Sequence, residues 1–268
     1  MRIDRRSTVL KSVAIYVAMI VMTLAFSACN GSGEGGHISA PPLPPFQAKI
    51  MPLGDSITYD DANYYIEHPV SPAYRVAYRQ ALWYMLEDAN YSADLDFVGS
   101  QRAGFAVQPP IDPDNEGHPG WTSYQIAAHI YNWLVMNPAN IILLHIGTND
   151  GLDSADGVRQ VLDEIDRYEE DHSEEVHVFV ALIIDRRQPN STTARFNHNL
   201  KILIDERIAD GDNLTLVDMY HGAGLNSGDY LEYTHPNQSG YRKMAKVWFD
   251  ALMQYKKDLQ EAGEIAPD

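Results

Sequence analysis

The chain has 268 residues and opens on a charged, then apolar, then Gly/Pro-rich stretch, leaving roughly 220 residues for folded structure, enough for one well-buried domain. Its formal charge is −17, and about −20 once the basic N-terminal segment is set aside, a surface that repels phosphate and argues against a nucleic-acid partner. The acidity is read as an aid to solubility, and the single cysteine excludes an internal disulfide.

Residues 12 to 28 form an apolar run behind Arg2, Arg5, Arg6 and Lys11, the layout of an export signal and short for a membrane span. Phe26-Ser27-Ala28-Cys29 follows, and it resembles the lipobox of bacterial lipoproteins, in which the cysteine is acylated and becomes the mature N-terminus. That resemblance implies a signal peptide over 1–28, lipidation at Cys29, and a cell-envelope protein held to the membrane only through its acyl groups. Residues 29–47, rich in Gly and Pro, are expected to be a flexible tether.

From residue 48 onward, short β-branched or apolar runs alternate with longer helical patterns, which predicts βαβ units and a parallel sheet covered on both faces. The expected strands are Lys49 to Leu53, Leu95 to Val98, Ile141 to Ile146, Val176 to Ile184 and Leu214 to Val217. The expected helices are Pro72 to Ala89, Ser123 to Met136, Ala155 to Glu170, Thr192 to Ile208 and Ser239 to Lys257. Together they describe a three-layer α/β/α sandwich with a central parallel sheet of about five strands over 48–260, with 261–268 as a tail. The acidic loop Asp112 to Glu116 is expected to be solvated rather than calcium-binding, and the histidines show no paired metal-ligand spacing. No metal or other cofactor is called for.

In such a sheet, chemistry gathers beyond the carboxyl ends of the strands. The first strand runs into Gly54-Asp55-Ser56, a tight turn that delivers Ser56 as candidate nucleophile. The third runs into Gly147-Thr148-Asn149-Asp150, where the Asn149 amide is a candidate oxyanion donor. Before the last helix, Glu232-Tyr233-Thr234-His235-Pro236-Asn237 holds a histidine fixed by proline, with a carboxylate three residues earlier, the parts of a general base and its orienter. Asp229 is a rival orienter. His145, inside an apolar strand, is read as a core histidine.

In order and spacing, these blocks resemble the SGNH (GDSL-like) hydrolase superfamily, and Gly117-His118-Pro119-Gly120-Trp121-Thr122 resembles its block with an oxyanion glycine. Gly120 would give a backbone N–H at a helix N-terminus, while Gly99 is read as a turn residue. Within the superfamily the chain looks most like bacterial carbohydrate esterases of the acetylxylan esterase kind. That likeness rests on Met51 to Thr58, Tyr74-Arg75, Asp96 to Ser100, Glu116 to Trp121, and Gly240-Tyr241 with Lys243-Met244-Ala245. One departure is Glu232, where the family has aspartate.

The resemblance implies a flavodoxin-like fold and an acyl-enzyme mechanism. Ser56, His235 and Glu232 would be catalytic, and Ser56, Gly120 and Asn149 would form the oxyanion hole. Asp55, Tyr74, Arg75, Trp121 and Thr148 would bind substrate, an acylated carbohydrate or another small ester. Trp121, Tyr59, Tyr64 and Tyr65 either stack on sugar rings or serve as packing. A lysophospholipase or thioesterase of the same superfamily, and a surface protein that binds carbohydrate without catalysis, remain open.

Overall fold

The computed structural model describes residues 42–267. The export signal, Cys29 and most of the tether lie outside the described residues.

β1 (Ala48–Gly54) is the spine of a seven-stranded sheet. On one side it pairs along its length with β5 (Ile141–His145). On the other it pairs first with β2 (Leu95–Phe97) and then, near its end, with β4 (Asp114–Gly117). The Ile50 and Gly54 carbonyls accept from Val98 and His118 on that second edge. Pro52, midway between them, therefore turns its missing N–H toward the gap between β2 and β4, where no ladder bond is lost.

β6 (His177–Ala181) and β7 (Leu214–Val217) extend the sheet beyond β5, and the two-residue β3 (Gln101–Arg102) runs antiparallel to β4. With β3 and β4 set aside, the order is β2-β1-β5-β6-β7, that of flavodoxin-like doubly wound sheets. The order reverses between β1 and β5, so the cleft lies beyond their carboxyl ends.

Alternate residues of each strand face opposite layers. Met51, Leu53, Ile142 and Leu144 pack under α3 (Ser123–Ala127), α4 (Ile130–Met136), α5 (Asp156–His172) and α6 (Ser191–Asp210). Ile50, Ile141, Leu143 and Phe179 pack under α2 (Arg79–Asp88) and α8 (Gln238–Ala262), which also contact each other. Leu82, Leu86, Trp248 and Leu252 are solvent-free there, and each such side chain contributes on the order of 1.5–3 kcal/mol. Two short helices, α1 (Ser56–Tyr59) and α7 (Met219–Gly222), complete the set.

Several expectations need correction. The helix expected over 72–89 is a 3₁₀ turn at Pro72–Tyr74 followed by α2, with Ala77 between them at φ 47°. Asp60 causes the break: its carboxylate accepts from Val76 N at 3.0 Å and Ala77 N at 3.2 Å, so these groups are satisfied outside a helix. The helix expected over 123–136 parts between α3 and α4, because the His129 ring takes the Gln125 carbonyl at 2.9 Å and the His129 N–H moves to Ile126.

The strand expected over 176–184 stops at Ala181, after which Asn197 and His145 side chains receive Ile183 N and Ile184 N. The acidic loop 112–116 is largely β4, with Asn115 and Glu116 fully buried. The tether and tail are anchored at their inner ends. Phe46 lies edge-on to Tyr91, and Ala266 N bonds Pro44 O.

Candidate active site

Gly54 ends β1 where no side chain fits, since a Cβ there would come within 2.4 Å of the His145 carbonyl and 2.5 Å of Thr58 Oγ1. The chain turns directly into α1, and Ser56 stands at its first position with its N–H unspent among the described residues.

Ser56 Oγ lies 2.7 Å from His235 Nε2. His235 sits in a turn closed by a bridge between Tyr230 and Pro236 and by Leu231 N to His235 O at 2.9 Å. In that turn Glu232 reaches His235 Nδ1. The same carboxylate accepts His235 N at 3.0 Å and Thr234 N at 3.2 Å. Burial raises the Glu232 pKa, but the bonds from His235 and Thr234 outweigh it and hold the carboxyl below its ordinary value. A carboxylate on Nδ1–H leaves Nε2 free to accept the Ser56 proton.

Asp229, the rival orienter, is otherwise engaged. It binds Lys243 Nζ at 2.7 Å, Ser239 Oγ at 2.9 Å and Asn226 N at 2.9 Å.

His118-Pro119-Gly120-Trp121 is a β-turn, with Trp121 N to His118 O at 3.1 Å, proline at the second position and Gly120 at φ 79° at the third, the arrangement of type II. The Gly120 N–H has no partner among the described residues, and the residue is exposed. Asn149 lies in the loop after β5, and its Nδ2 donates to the Trp121 carbonyl at 2.9 Å, which leaves its second N–H unspent. Asp150 then accepts Ser123 N at 2.8 Å. The asparagine block is thereby tied to the glycine turn. Gly99 approaches Asn115 so closely that a Cβ would stand 2.2 Å from its carbonyl oxygen, a packing role.

The expected substrate contacts fare unevenly. Asp55 is a correction: it is fully buried and cannot touch substrate. Its side chain is drawn inward as the cap of α1, accepting Ile57 N at 2.9 Å. Burial pushes its carboxyl up to about 6, against the pull of the Ile57 N–H and the His235 charge. Tyr74 is exposed on its 3₁₀ turn, and Thr148 is buried.

Arg75 pairs with Asp61 and donates to Val70 O at 2.9 Å, over the rings of Tyr59 and Tyr65, so it clasps the loop after α1. Tyr65 donates to Asp60. The side chain of Tyr64 lies outside the described part. Trp121, half-buried, contacts the rings of His118, His129 and Trp133. His145 is core: its Nε2 accepts Ile184 N, and burial lowers its pKa to about 4.

The residues that sequence reasoning missed are the supports. Arg79, fully buried, donates to the carbonyls of Thr58, Ala103, Pro113 and Arg75, joining α1 to the strands beside it. Glu116 accepts Ser100 N and Ser100 Oγ at 2.6 Å each, and His118 Nε2 at 2.6 Å. The available signal was Glu116 and His118 two apart, on one face of a strand. Among the described residues, no group of three or more histidine, cysteine or carboxylate side chains is placed to hold a metal ion, and no helix is long and apolar enough to cross a membrane.

A serine contacting an imidazole at the switch point of a doubly wound sheet, with unspent donors tied around it, is the architecture of a carboxylic ester hydrolase. The chain belongs to the GDSL-like lipase/acylhydrolase family, whose sequence profile matches residues 50–248. A multidomain esterase of Ruminococcus flavefaciens is 28% identical over 236 residues, 78% of this chain, and the match spans 29% of that longer protein. Among solved structures, a family 3 carbohydrate esterase of Clostridium thermocellum is 29% identical, covering 80% of this chain and 99% of its own, with a TM-score of 0.66. An acetyl esterase solved with acetate ion is 26% identical, covering 80% and 100%, with a TM-score of 0.64.

Proposed function

We propose that the protein removes short acyl groups, chiefly acetyl, from carbohydrate through an acyl-enzyme on Ser56. The observation that carries this reading is the continuous contact from Ser56 Oγ through His235 to Glu232.

Ser56 Oγ attacks the ester carbonyl carbon while His235 Nε2 takes its proton. Glu232 keeps Nδ1 protonated and offsets the imidazolium charge. The carbonyl oxygen becomes an oxyanion, met by the N–H groups of Ser56 and Gly120 and the unspent N–H of Asn149. Each such donor is worth roughly 3–4 kcal/mol in the transition state. The C–O bond to the sugar then breaks as His235 returns the proton to the departing oxygen. Water, activated by the same imidazole, releases the acid and regenerates Ser56.

The small acyl group on a sugar is favoured by the solved relatives named above, a carbohydrate esterase and an acetyl esterase. The apolar run at 12–28 and the Cys29 that follows it support a cell-envelope location for this activity, on a lipid anchor.

Aryl esters of two, four, eight and twelve carbons, assayed beside acetylated xylan and a lysophospholipid, test the reading. The expected order of kcat/KM falls with chain length, and acetate is released from xylan. Faster turnover of the twelve-carbon ester or of the lysophospholipid would replace it with a lipase assignment.

A further inference from the structure

Glu116 has no exposed surface, and burying a carboxylate costs several kcal/mol unless the site gives it strong partners. The site gives it three. Ser100 supplies its N–H and its hydroxyl, and His118 supplies Nε2, all at 2.6 Å. With Glu116 ionised both carboxylate oxygens act as acceptors, an arrangement that assigns the ring proton of His118 to Nε2.

The His118 ring is fixed on its other sides as well. It stacks on Trp133 at 4.3 Å and 7° and lies 4.5 Å from Trp121. Its backbone N–H bonds the Gly54 carbonyl at 2.9 Å, two residues before Ser56. His118 is also the first residue of the type II turn that carries Gly120, and the last residue of that turn, Trp121, holds Asn149 through its carbonyl.

We infer that Glu116 and His118 are positioning residues of the oxyanion hole. The buried carboxylate locks the imidazole, the imidazole and Trp133 lock the turn, and the turn sets both the Gly120 N–H and the Asn149 amide. Neither residue touches the reacting atoms. An oxyanion donor acts only in the transition state, and a misplacement of about 1 Å can cost on the order of a hundredfold, so the effect of loosening the turn belongs in kcat. This inference rests on the reaction proposed above.

Four variants test it with 4-nitrophenyl acetate: Glu116→Ala, Glu116→Gln, His118→Phe and the double variant Glu116→Ala/His118→Phe. Glu116→Ala should lower kcat about ten- to a hundredfold with KM within about twofold. Glu116→Gln should recover most of that loss. Its carbonyl can accept Ser100 N–H, and its amide can donate to the Ser100 hydroxyl and to the other tautomer of His118. His118→Phe keeps the aromatic stack and leaves Glu116 its two Ser100 donors, yet should lose as much kcat as Glu116→Ala. The double variant should be no slower than the slower single, because the two residues act as one unit.

His118→Phe within about twofold of wild-type kcat, or a loss confined to KM, overturns the inference. If Glu116→Ala does not fold, His118→Phe decides alone. Asn149→Ala, measured in parallel, separates the two levels. If it is impaired while His118→Phe is not, only the positioning role fails; if it is not impaired, the proposed oxyanion hole itself is wrong.

Discussion

The two halves of the proposed catalytic pair are held in opposite ways. Ser56 inherits its place from the whole fold. It lies two residues beyond a strand that is paired on both sides and ends in a glycine admitting no side chain, and it starts a helix tied through Arg79 to the neighbouring strands. His235 and Glu232 sit instead in a turn closed on itself by Tyr230, Leu231 and Pro236, with Tyr233 half-exposed at its tip. Changes around the serine should therefore be felt in stability as well as rate, and changes at Glu232 or His235 in rate alone, with the stability of their turn resting on its foot. The exception on the serine side is Ser56 itself, whose hydroxyl, among the described residues, hydrogen-bonds only His235.

Ser56→Ala is accordingly expected to give the largest effect. Removing a triad nucleophile costs about a thousandfold or more in kcat, while the melting temperature should stay at the wild-type value. Turnover within about tenfold of wild type would end the nucleophile assignment.

Within the turn, Glu232→Gln should lower kcat by about ten- to a thousandfold with little change in KM, since it removes the charge facing the imidazolium. The upper end of the triad range is not expected, because the turn's own N–H groups help hold residue 232. Asp229→Asn should do the reverse. It weakens the contacts to Lys243, Ser239 and Asn226 that anchor the foot of the turn, lowering the melting temperature with kcat within a few-fold. Should Asp229→Asn prove the catalytically damaging change, the orienting role passes to Asp229.

The same contrast explains what could be read from sequence. Elements set by local pattern were legible: the apolar strands at 49–53, 141–146 and 214–217, the long last helix, and the residues Ser56, Asn149 and His235, which sit in recognisable blocks at strand ends or before a helix. Features set by a distant partner were not. The break before α2 depends on Asp60, which captures two backbone N–H groups some sixteen residues away. β4 looked like a solvated acidic loop because its Glu116 takes two of its three hydrogen bonds from Ser100, sixteen residues earlier, a partner that no local pattern displays. Asp55 was misplaced for a related reason. Adjacency to the nucleophile says nothing about which way a side chain points, and here it points inward as a cap.

That inward turn yields a small expected effect on rate and the change that best sharpens the contrast between the halves. Asp55 Oδ1 caps α1, while Oδ2 is buried and, among the described residues, makes no hydrogen bond of ordinary geometry, with the Thr148 hydroxyl as its weak polar neighbour. Burial, opposed by the Ile57 N–H and the His235 charge, raises its pKa from an ordinary 3.8 to about 6. A carboxyl that holds its proton more tightly when folded favours the fold in acid. That contribution is complete below about pH 4, declines as pH rises toward 6, and is absent above it. Asparagine keeps the capping oxygen and cannot ionise. Asp55→Asn should therefore match wild type in stability near pH 4 and exceed it by up to about 3 kcal/mol at pH 7 and above, the equivalent of a two-unit shift. Because the lost charge also attracts His235, kcat should fall a few-fold, far less than for Glu232→Gln. Chemical denaturation of both proteins from pH 4 to 8 checks the sign. A stability difference that stays flat, or that favours wild type as pH rises, would mean that the buried carboxylate has a compensating partner at neutral pH. The cap of the nucleophile helix would then stabilise the fold instead of costing it.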